Sequence, residues 1–378
     1  MTLAANSIAA PAHNVLPITV ESAASGWPNF AYATVTICPP GSSSNCQSVD
    51  HVLVDTGSSG LRIMSSALSP SLVLPPRVDA GGDPIVECAQ FASGFTWGPL
   101  KLADVKIAGE QAASLAIQVI GDPEFAAIPD NCQATGAGRN TVASFAVNGI
   151  LGVGVFHQDC GVACAFNANT GIYYVCPPSG CLPTTVPLAD QVHNPAFMFA
   201  GGNTNGVIVQ LPPIAESGAA GVTGALVFGI GTQANNGLGT ASVLRLNPAT
   251  GQITTIYNNR AIADSIIDSG SNAVFFSDPG IPICTSAAAA GFYCPDATQS
   301  LTATLQGMTG TQARVDFRVA NADALIAGAG SNAFSNLAGP AFSFLSFNWG
   351  LPFFYGRSVY VAFDGVGTPD GKGPYVAF

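Results

Sequence analysis

The sequence carries one short pattern twice, once in each half of its 378 residues. Residues 52–59 read VLVDTGSS and residues 265–272 read SIIDSGSN, so each apolar run ends in Asp, a hydroxyl residue, Gly and Ser. An apolar pair that ends in Gly follows each copy, within residues 148–152 (NGILG) and 353–356 (FFYG). A duplication of this length is not a solenoid repeat. It predicts two similar halves that face each other across a pseudo-twofold axis.

The rest of the sequence is typical of a mainly β protein. Short apolar or alternating runs dominate, and Gly, Pro, Asn and Ser separate them. The predicted strands are 29–37, 51–54, 100–107, 114–120, 224–231, 241–246, 265–267, 312–319 and 359–363. Helical patterns are few and short, and they fall at 66–68, 141–146, 188–192, 287–291 and 320–327.

The domain organisation predicted from these patterns is two β lobes with a central cleft between them. The segment 201–221 is rich in Gly, Asn and Pro, which favours a boundary there. The N-terminal lobe is therefore predicted to span residues 12–205 with the first motif and a flap. The C-terminal lobe is predicted to span residues 206–378 with the second motif.

The two motifs indicate a pair of carboxyl groups as the chemical centre. Asp55 and Asp268 each follow an apolar strand, and a twofold axis between the halves brings them together around one water. Glycines in both loops allow a close approach of the two backbones. Hydroxyl groups are expected to bond across to the opposite loop or to orient the carboxylates. The predicted supporting residues are Thr56, Gly57 and Ser58 in the first loop and Ser269, Gly270 and Ser271 in the second.

Two carboxylates at such short range cannot both ionise freely. At about 4 Å and an effective dielectric constant of about 20, their repulsion is about 4 kcal/mol. That energy separates the two titrations by roughly 3 pK units. Over a broad acidic range the pair therefore holds one proton. Its ionised member is a general base for water, and its protonated member is a general acid for a carbonyl oxygen.

These motifs resemble those of the pepsin-like aspartic proteases, and in particular a bacterial branch of uncharacterised pepsin-like proteins. The resemblance covers about residues 30–364. It rests on the paired Asp motifs, with support from residues 150–152 (ILG), 226–229 (LVFG) and 356–364 (GRSVYVAFD). It implies a bilobal pepsin-like fold and an aspartic endopeptidase whose catalytic residues are Asp55 and Asp268.

The chain departs from this family at the flap, a hairpin that covers the substrate and carries a Tyr in the family. Matching residues 98–100 to the end of that hairpin puts Phe91 at the Tyr position, and Trp97 lies in the same hairpin. The family's Trp that bonds this Tyr corresponds here to Arg62. We therefore expect Phe91 and Trp97 to contribute to substrate binding, in a flap that is held differently.

Two functions follow as alternatives. The first is an endopeptidase that acts on a polypeptide substrate without a metal or a cofactor, since the sequence has no His pair with zinc spacing and no Gly-x-Gly-x-x-Gly loop. The second is a catalytically silent protein that uses the same cleft as a peptide-binding or envelope module. The altered flap motivates this second hypothesis, because folds often persist after their chemistry is lost.

The charge composition argues against two classes of partner. The chain has 22 acidic and 11 basic residues, and its formal net charge is −11. Without a Lys/Arg cluster it lacks the electrostatic footprint of a nucleic-acid-binding protein. Its apolar runs stay below the roughly 18 residues that span a bilayer. We expect a monomer without a membrane span.

The ten cysteines form an even set that indicates disulfides. Local pairs are predicted for Cys38 with Cys46 and for Cys284 with Cys294, while Cys88 and Cys132 are left to pair with each other. A cluster of four allows three connectivities, or a zinc site with loose spacing as the rival interpretation. Its members are Cys160, Cys164, Cys176 and Cys181.

Disulfides place a protein in an oxidising compartment. Residues 1–10 lack the basic and apolar regions of a signal peptide. We therefore expect an exported protein, periplasmic or extracellular, whose signal has already been removed.

Overall fold

The computed structural model describes residues 13–328, 330–341, 343 and 345–378, and strands dominate this part of the chain. The prediction of a mainly β protein is confirmed. The strands up to residue 183 are β1 Val15–Glu21, β2 Phe30–Cys38, β3 Gln47–Asp55, β4 Ser59–Met64, β5 Ile85–Phe91, β6 Gly94–Ile107, β7 Glu110–Ile120, β8 Gly149–Val153, β9 Tyr173–Val175 and β10 Leu182–Pro183.

The later strands include all those that build the second motif. They are β11 Gly206–Leu211, β12 Val222–Phe228, β13 Val243–Arg245, β14 Ile253–Tyr257, β15 Arg260–Ile267, β16 Val274–Phe276, β17 Gln299–Gln306, β18 Gln312–Val319, β19 Ala338–Gly339, β20 Ser346–Trp349, β21 Arg357–Ala362, β22 Gly367–Thr368, β23 Gly371–Lys372 and β24 Tyr375–Ala377. Each of the nine strands predicted from the sequence overlaps one of the observed strands.

The described helices are short. The α-helices are α1 Asp130–Gln133, α2 Val142–Phe145, α3 Val162–Phe166 and α4 Ala322–Ala327. The 3₁₀ helices are Ser65–Ala67, Pro123–Phe125, Ala168–Thr170, Leu188–Asp190, Pro195–Met198 and Leu351–Phe354. None of the helices described here has the length and the apolar character needed to cross a bilayer.

One helix prediction is wrong. Residues 287–291 form a bend and turns, although four of them are alanines with high helix propensity. These residues end at Gly291, whose φ of +87° is left-handed and does not continue a helix. They also lie between Cys284 and Cys294, whose disulfide holds the two ends of the segment together.

Equivalent strands surround the two motifs. In the first half, β3 runs parallel to β8, β8 pairs antiparallel with β4, and β4 runs parallel to β7. In the second half, β15 runs parallel to β20, β20 pairs antiparallel with β16, and β16 runs parallel to β19. The strand orders β3-β8-β4-β7 and β15-β20-β16-β19 are equivalent, and the corresponding pairs run in the same relative directions. The duplicated motifs therefore lie in duplicated strand arrangements.

The downstream partner of the second motif differs from the one predicted. Asp55 pairs with Gly152 on β8, and the register of Ile267 with Trp349 gives Gly350 the equivalent place beside Asp268. The counterpart of residues 148–152 is therefore 346–350, whereas residues 353–356 begin inside the 3₁₀ helix Leu351–Phe354 and lead into β21. A Cβ at Gly350 would lie 2.1 Å from the carbonyl oxygen of Ala273, so sterics explain this glycine.

The predicted boundary segment 201–221 contains a buried strand rather than only loops. Its strand β11 pairs with β12 and β21, and β12 also pairs with the N-terminal β1. A fifteen-stranded sheet consequently runs across position 205/206, and a seven-stranded sheet carries the second motif. The lobe limits 12–205 and 206–378 stay a prediction.

Five disulfides confirm the oxidised state predicted for the cysteines. The three predicted pairs form as expected, and the cluster of four resolves into Cys160–Cys164 and Cys176–Cys181. The rival zinc interpretation is wrong, because all four sulfur atoms of the cluster are bonded to each other in pairs. Disulfides on this scale indicate an oxidising environment.

The Cys88–Cys132 bridge should contribute more to stability than the Cys38–Cys46 bridge. It joins residues 44 apart, against 8 for the other, and longer closed loops lose more entropy when cross-linked. We expect Cys88→Ala/Cys132→Ala to lower the free energy of unfolding by about 4 kcal/mol and Cys38→Ala/Cys46→Ala by about 2.5 kcal/mol. Urea denaturation without reductant measures both, and a larger loss in the second variant would contradict this ordering.

Candidate active site

Two buried carboxyl groups meet where β3 and β15 end. Asp55 is the last residue of β3 and Asp268 directly follows β15, with exposed fractions of only 7% and 8%. A Cβ at Gly57 would lie 2.7 Å from Asp268 Oδ1, and a Cβ at Gly270 would lie 2.6 Å from Asp55 Oδ1. Any side chain at either glycine would therefore displace the opposite carboxyl group, and the pair exists because both loops carry glycine there.

Reciprocal hydrogen bonds lock the two loops together. The Thr56 hydroxyl donates to the Ile267 carbonyl (3.0 Å), and the Ser269 hydroxyl donates to the Val54 carbonyl (2.7 Å). Each hydroxyl oxygen also accepts from the backbone N–H of the other residue, at 2.9 Å for Thr56 and 3.1 Å for Ser269. The predicted role of these two residues matches their position, and the arrangement repeats across the two halves.

Each carboxylate also receives donors from its own loop. Asp55 accepts from the Gly57 N–H at 2.8 Å and from the Ser58 hydroxyl at 2.5 Å. Asp268 accepts from the Gly270 N–H at 2.9 Å and from the Ser271 hydroxyl at 2.6 Å. The predicted supporting residues therefore all contact the pair or join its loops.

Asn348 on β20 is a site residue that the sequence analysis missed. Its side-chain amide donates to Asp268 Oδ2 at 2.9 Å and to the Ser271 hydroxyl oxygen at 2.9 Å. The signal that could have located it is the second copy of the strand that ends in Gly. This copy reads Asn348-Trp349-Gly350, so a polar residue stands where the first copy has an apolar one.

The environment of the pair favours a proton on Asp55. Burial, and next the negative charge of Asp268, raise the pKa of Asp55 to about 7. The donors Ser58 and Gly57 oppose this shift without cancelling it. Asp55 is thus protonated over the acidic range in which an ordinary aspartate is ionised.

A cavity of about 360 Å³ is lined by the residues that follow Asp55 and by Ile266 and Ile267, which precede Asp268; the two aspartates themselves are not among its lining residues. One wall is the loop 56–59, a second is β5 of the β5–β6 hairpin, and a third comes from residues 250–253 in the other half of the sequence. Much of its remaining lining is apolar, including Val155 and Phe156. The cavity therefore offers a partly apolar space next to the loop that follows Asp55.

The predicted hairpin exists, but its two aromatic residues have different places. Phe91 pairs with Gly94 at the tip of the β5–β6 hairpin and lines the cavity. Trp97 is buried in a small hydrophobic cluster, where its indole N–H donates to the Phe125 carbonyl at 2.8 Å. Trp97 therefore supports the hairpin and does not belong to the residues that line this cavity.

Arg62 occupies a buried ionic cluster behind the hairpin. Its guanidinium contacts Glu87 Oε1 at 2.5 Å and Asp159 Oδ2 at 3.3 Å, and it donates to the Ser59 carbonyl at 2.9 Å. The same group lies over the Phe91 ring, with its central carbon 5.7 Å from the ring centroid. Burial raises the pKa of Glu87 well above its ordinary range, against the opposing charge of Arg62. Arg62 consequently links the hairpin tip to the first motif.

The comparison with known proteins gives a family without an assigned activity. The family described as "Protein of unknown function (DUF3443)" matches residues 10–378. Among curated proteins, none matches the chain significantly. The geometry of the site therefore has to carry the functional argument.

Removing one of the two hydroxyl groups that join the motif loops should destabilise the fold. Ser269 is fully buried, and Ser269→Ala leaves the Val54 carbonyl and the Thr56 N–H without this partner. We expect a loss of about 1–3 kcal/mol of unfolding free energy for each buried group left unpaired. Ser48→Ala, which removes an exposed hydroxyl contact to Thr36, is the control and should stay within about 0.5 kcal/mol. Urea denaturation measures both, and equal effects would contradict the lock.

The raised pKa of Asp55 should make stability fall as the pH rises. A group whose pKa is higher in the folded than in the unfolded state stabilises the fold fully below its unfolded pKa of 3.8, and this contribution is lost as the pH rises through about 7. The loss amounts to at most about 4 kcal/mol. In Asp55→Asn the same dependence should be nearly absent. Urea denaturation between pH 4 and pH 8 tests this, with the exposed Asp264→Asn as control, and equal slopes in wild type and Asp55→Asn would contradict it.

Proposed function

This chain belongs to the DUF3443 family, and we propose that it is an aspartic endopeptidase. The observation that supports this function best is the convergence of two buried carboxyl groups, Asp55 and Asp268, from equivalent loops that hydrogen-bond each other. Acid–base catalysis of water attack needs one proton on such a pair, and the raised pKa of Asp55 fits that state.

The proposed reaction is hydrolysis of a peptide bond without a covalent enzyme intermediate. The ionised carboxyl removes a proton from a water molecule, whose oxygen bonds to the scissile carbonyl carbon. The protonated carboxyl donates its proton to the carbonyl oxygen, which gives a tetrahedral diol. The carboxyl that took the proton from water then gives it to the amide nitrogen, while the other carboxylate takes a proton from one diol hydroxyl. The C–O double bond re-forms, the C–N bond breaks, and an amine and a carboxylic acid are released. The pair ends the cycle with one proton, as it began.

The cavity beside the pair supports a polypeptide as the substrate. Its walls come from the first motif loop, the hairpin that ends at Phe91 and residues 250–253. A site of this kind binds a ligand through apolar contact and a few placed polar groups. We propose Phe91 as a substrate contact, and we propose that the protein acts as a monomer in the periplasm or outside the cell.

A peptide-binding module without catalysis is the second candidate. The observation that favours it is the hairpin tip, where Phe91 carries no hydroxyl and packs against the guanidinium of Arg62. A hairpin held by this contact closes over the same cavity without offering a hydrogen bond to a reacting group.

Digestion of a broad peptide library across pH 3 to 8 distinguishes the two candidates. We expect cleavage at acidic pH, and we expect Asp55→Asn and Asp268→Asn each to lower it by about 10²–10⁴-fold or more while the fold stays intact. Asp296→Asn, at an exposed position outside the cavity lining, is the matched control and should keep full activity. A statine-type transition-state mimic should bind the wild type.

Two results would contradict the endopeptidase. One is cleavage that persists in Asp55→Asn or Asp268→Asn. The other is a folded wild type that cleaves no peptide across the whole pH range and does not bind the statine-type mimic. Binding of uncleaved peptides by that same inactive protein would establish the second candidate.

A further inference from the structure

The two carboxyl groups of the pair differ in one hydrogen bond. Asp55 and Asp268 each accept from a glycine N–H and a serine hydroxyl of their own loop. Asp268 accepts in addition from the side-chain amide of Asn348, at 2.9 Å to Oδ2. The loops are otherwise equivalent, so this contact is a specific asymmetry of the site.

The first half has an apolar residue where the second half has Asn348. Two residues before Asp55, Leu53 pairs with Ile150 on β8, and two residues before Asp268, Ile266 pairs with Asn348 on β20. Ile150 is buried in a hydrophobic cluster and has no side-chain donor. The duplicated strands therefore place an amide beside the second carboxyl and a hydrocarbon at the same position in the first half.

β20 holds the Asn348 amide in place. The neighbours Phe347 and Trp349 are fully buried, their rings stack at 4.5 Å between centroids, and the Trp349 indole donates to Thr255 at 3.0 Å. The amide also donates to the Ser271 hydroxyl oxygen, which itself donates to Asp268 Oδ2. The three groups form a closed set of bonds in which both donors are directed at one carboxylate oxygen.

We propose that Asn348 is a positioning residue that keeps Asp268 as the ionised member of the pair and so leaves the shared proton on Asp55. An amide N–H that donates to a carboxylate stabilises its charged form, and bonds to charged acceptors are stronger than neutral ones. Within the proposed function, on which the assignment of roles rests, Asp268 is then the general base for water and Asp55 the general acid for the carbonyl oxygen.

Other charged groups near the pair do not explain the asymmetry. The titratable group that faces Asp268 is Asp55, whose pKa is in turn raised by the charge on Asp268. The charged or titratable residues on the two strands that end at the pair are exposed. Each precedes the aspartate of its strand by at least four residues; they are Asp50 and His51 on β3 and Arg260 and Asp264 on β15. On β4, Arg62 is engaged by Glu87 and Asp159.

The decisive experiment is a ¹³C NMR titration of the aspartate side-chain carboxyls, which needs no catalytic activity. In the wild type, the lower of the two coupled titrations should appear on Asp268 and the upper on Asp55, with Asp55→Asn and Asp268→Asn assigning the signals. Asn348→Leu removes the donor at similar volume. It should raise the lower titration by about one to two pH units, which is a 10- to 100-fold higher proton affinity.

Two further variants control this test. Asn348→Asp has the same size, replaces the donor by an acidic group, and should raise the titration of the pair further still; it also serves if the leucine variant does not fold. Asn148→Leu removes an amide that donates to the exposed Asp50 at 3.0 Å, and should leave the pair unchanged. A loss of stability in an Asn348 variant without a shifted titration would overturn the proposal, as would a wild type whose lower titration lies on Asp55.

The same variants separate this inference from the proposed function. If the protein cleaves peptides, the acidic limb of the pH–rate profile should move upward in Asn348→Leu by the shift seen in the NMR titration. An unmoved limb together with unmoved carboxyl signals would reject the role of Asn348 and leave the endopeptidase standing. Shifted carboxyl signals in a protein that cleaves nothing would support the role of Asn348 and reject the endopeptidase.

Discussion

Contact between two buried acidic groups is the constraint on which the whole site depends. Bringing Asp55 and Asp268 together costs free energy, because both groups lose contact with water and their negative charges repel each other. A pair in which both are ionised is therefore unfavourable. The fold maintains the contact by bonding the two loops through Thr56 and Ser269 and by keeping glycine at positions 57 and 270. One retained proton removes most of the repulsion. The same proton therefore stabilises the buried pair and serves the proposed acid–base chemistry.

The duplicated strands explain why the pair is nearly symmetric, and β20 explains why it is not fully so. The orders β3-β8-β4-β7 and β15-β20-β16-β19 deliver two similar loops to one place. A single polar residue on β20, Asn348, then distinguishes the second carboxyl from the first. A symmetric scaffold can support an asymmetric proton arrangement with one substitution, and we propose that this is the origin of the acid and base roles.

Sequence reasoning located the motifs because their residue types are fixed by local geometry. Gly57 and Gly270 are required because the two loops approach each other closely, and the apolar runs before each Asp are required because those strands are buried. Both features can therefore be recognised in the sequence alone. Asn348 was missed because its polarity breaks the apolar pattern that identified β8. Glu87 and Asp159 were missed because they come from distant segments, and only the fold brings them to Arg62.

The tip of the β5–β6 hairpin is held in part by a contact between an aromatic ring and a guanidinium. The resemblance to pepsin-like proteases implied a flap Tyr bonded to a Trp, and the corresponding positions here hold Phe91 and Arg62. These two still meet, as a guanidinium over an aromatic ring, and buried carboxyl groups surround the guanidinium. Such cation–π contacts contribute on the order of 1 kcal/mol, so this one holds the hairpin tip only with help from its neighbours.

A neutron diffraction structure at about pH 5 tests the central claim most directly, because it locates protons on carboxyl groups. Asp55 is expected to carry a proton there, since its pKa is raised to about 7. We predict a single deuteron on the pair, bonded to Asp55, with both carboxyl groups in hydrogen-bonding reach of each other or of one shared water. Two carboxyls held apart by an intervening side chain, or each bearing its own deuteron, would contradict the account.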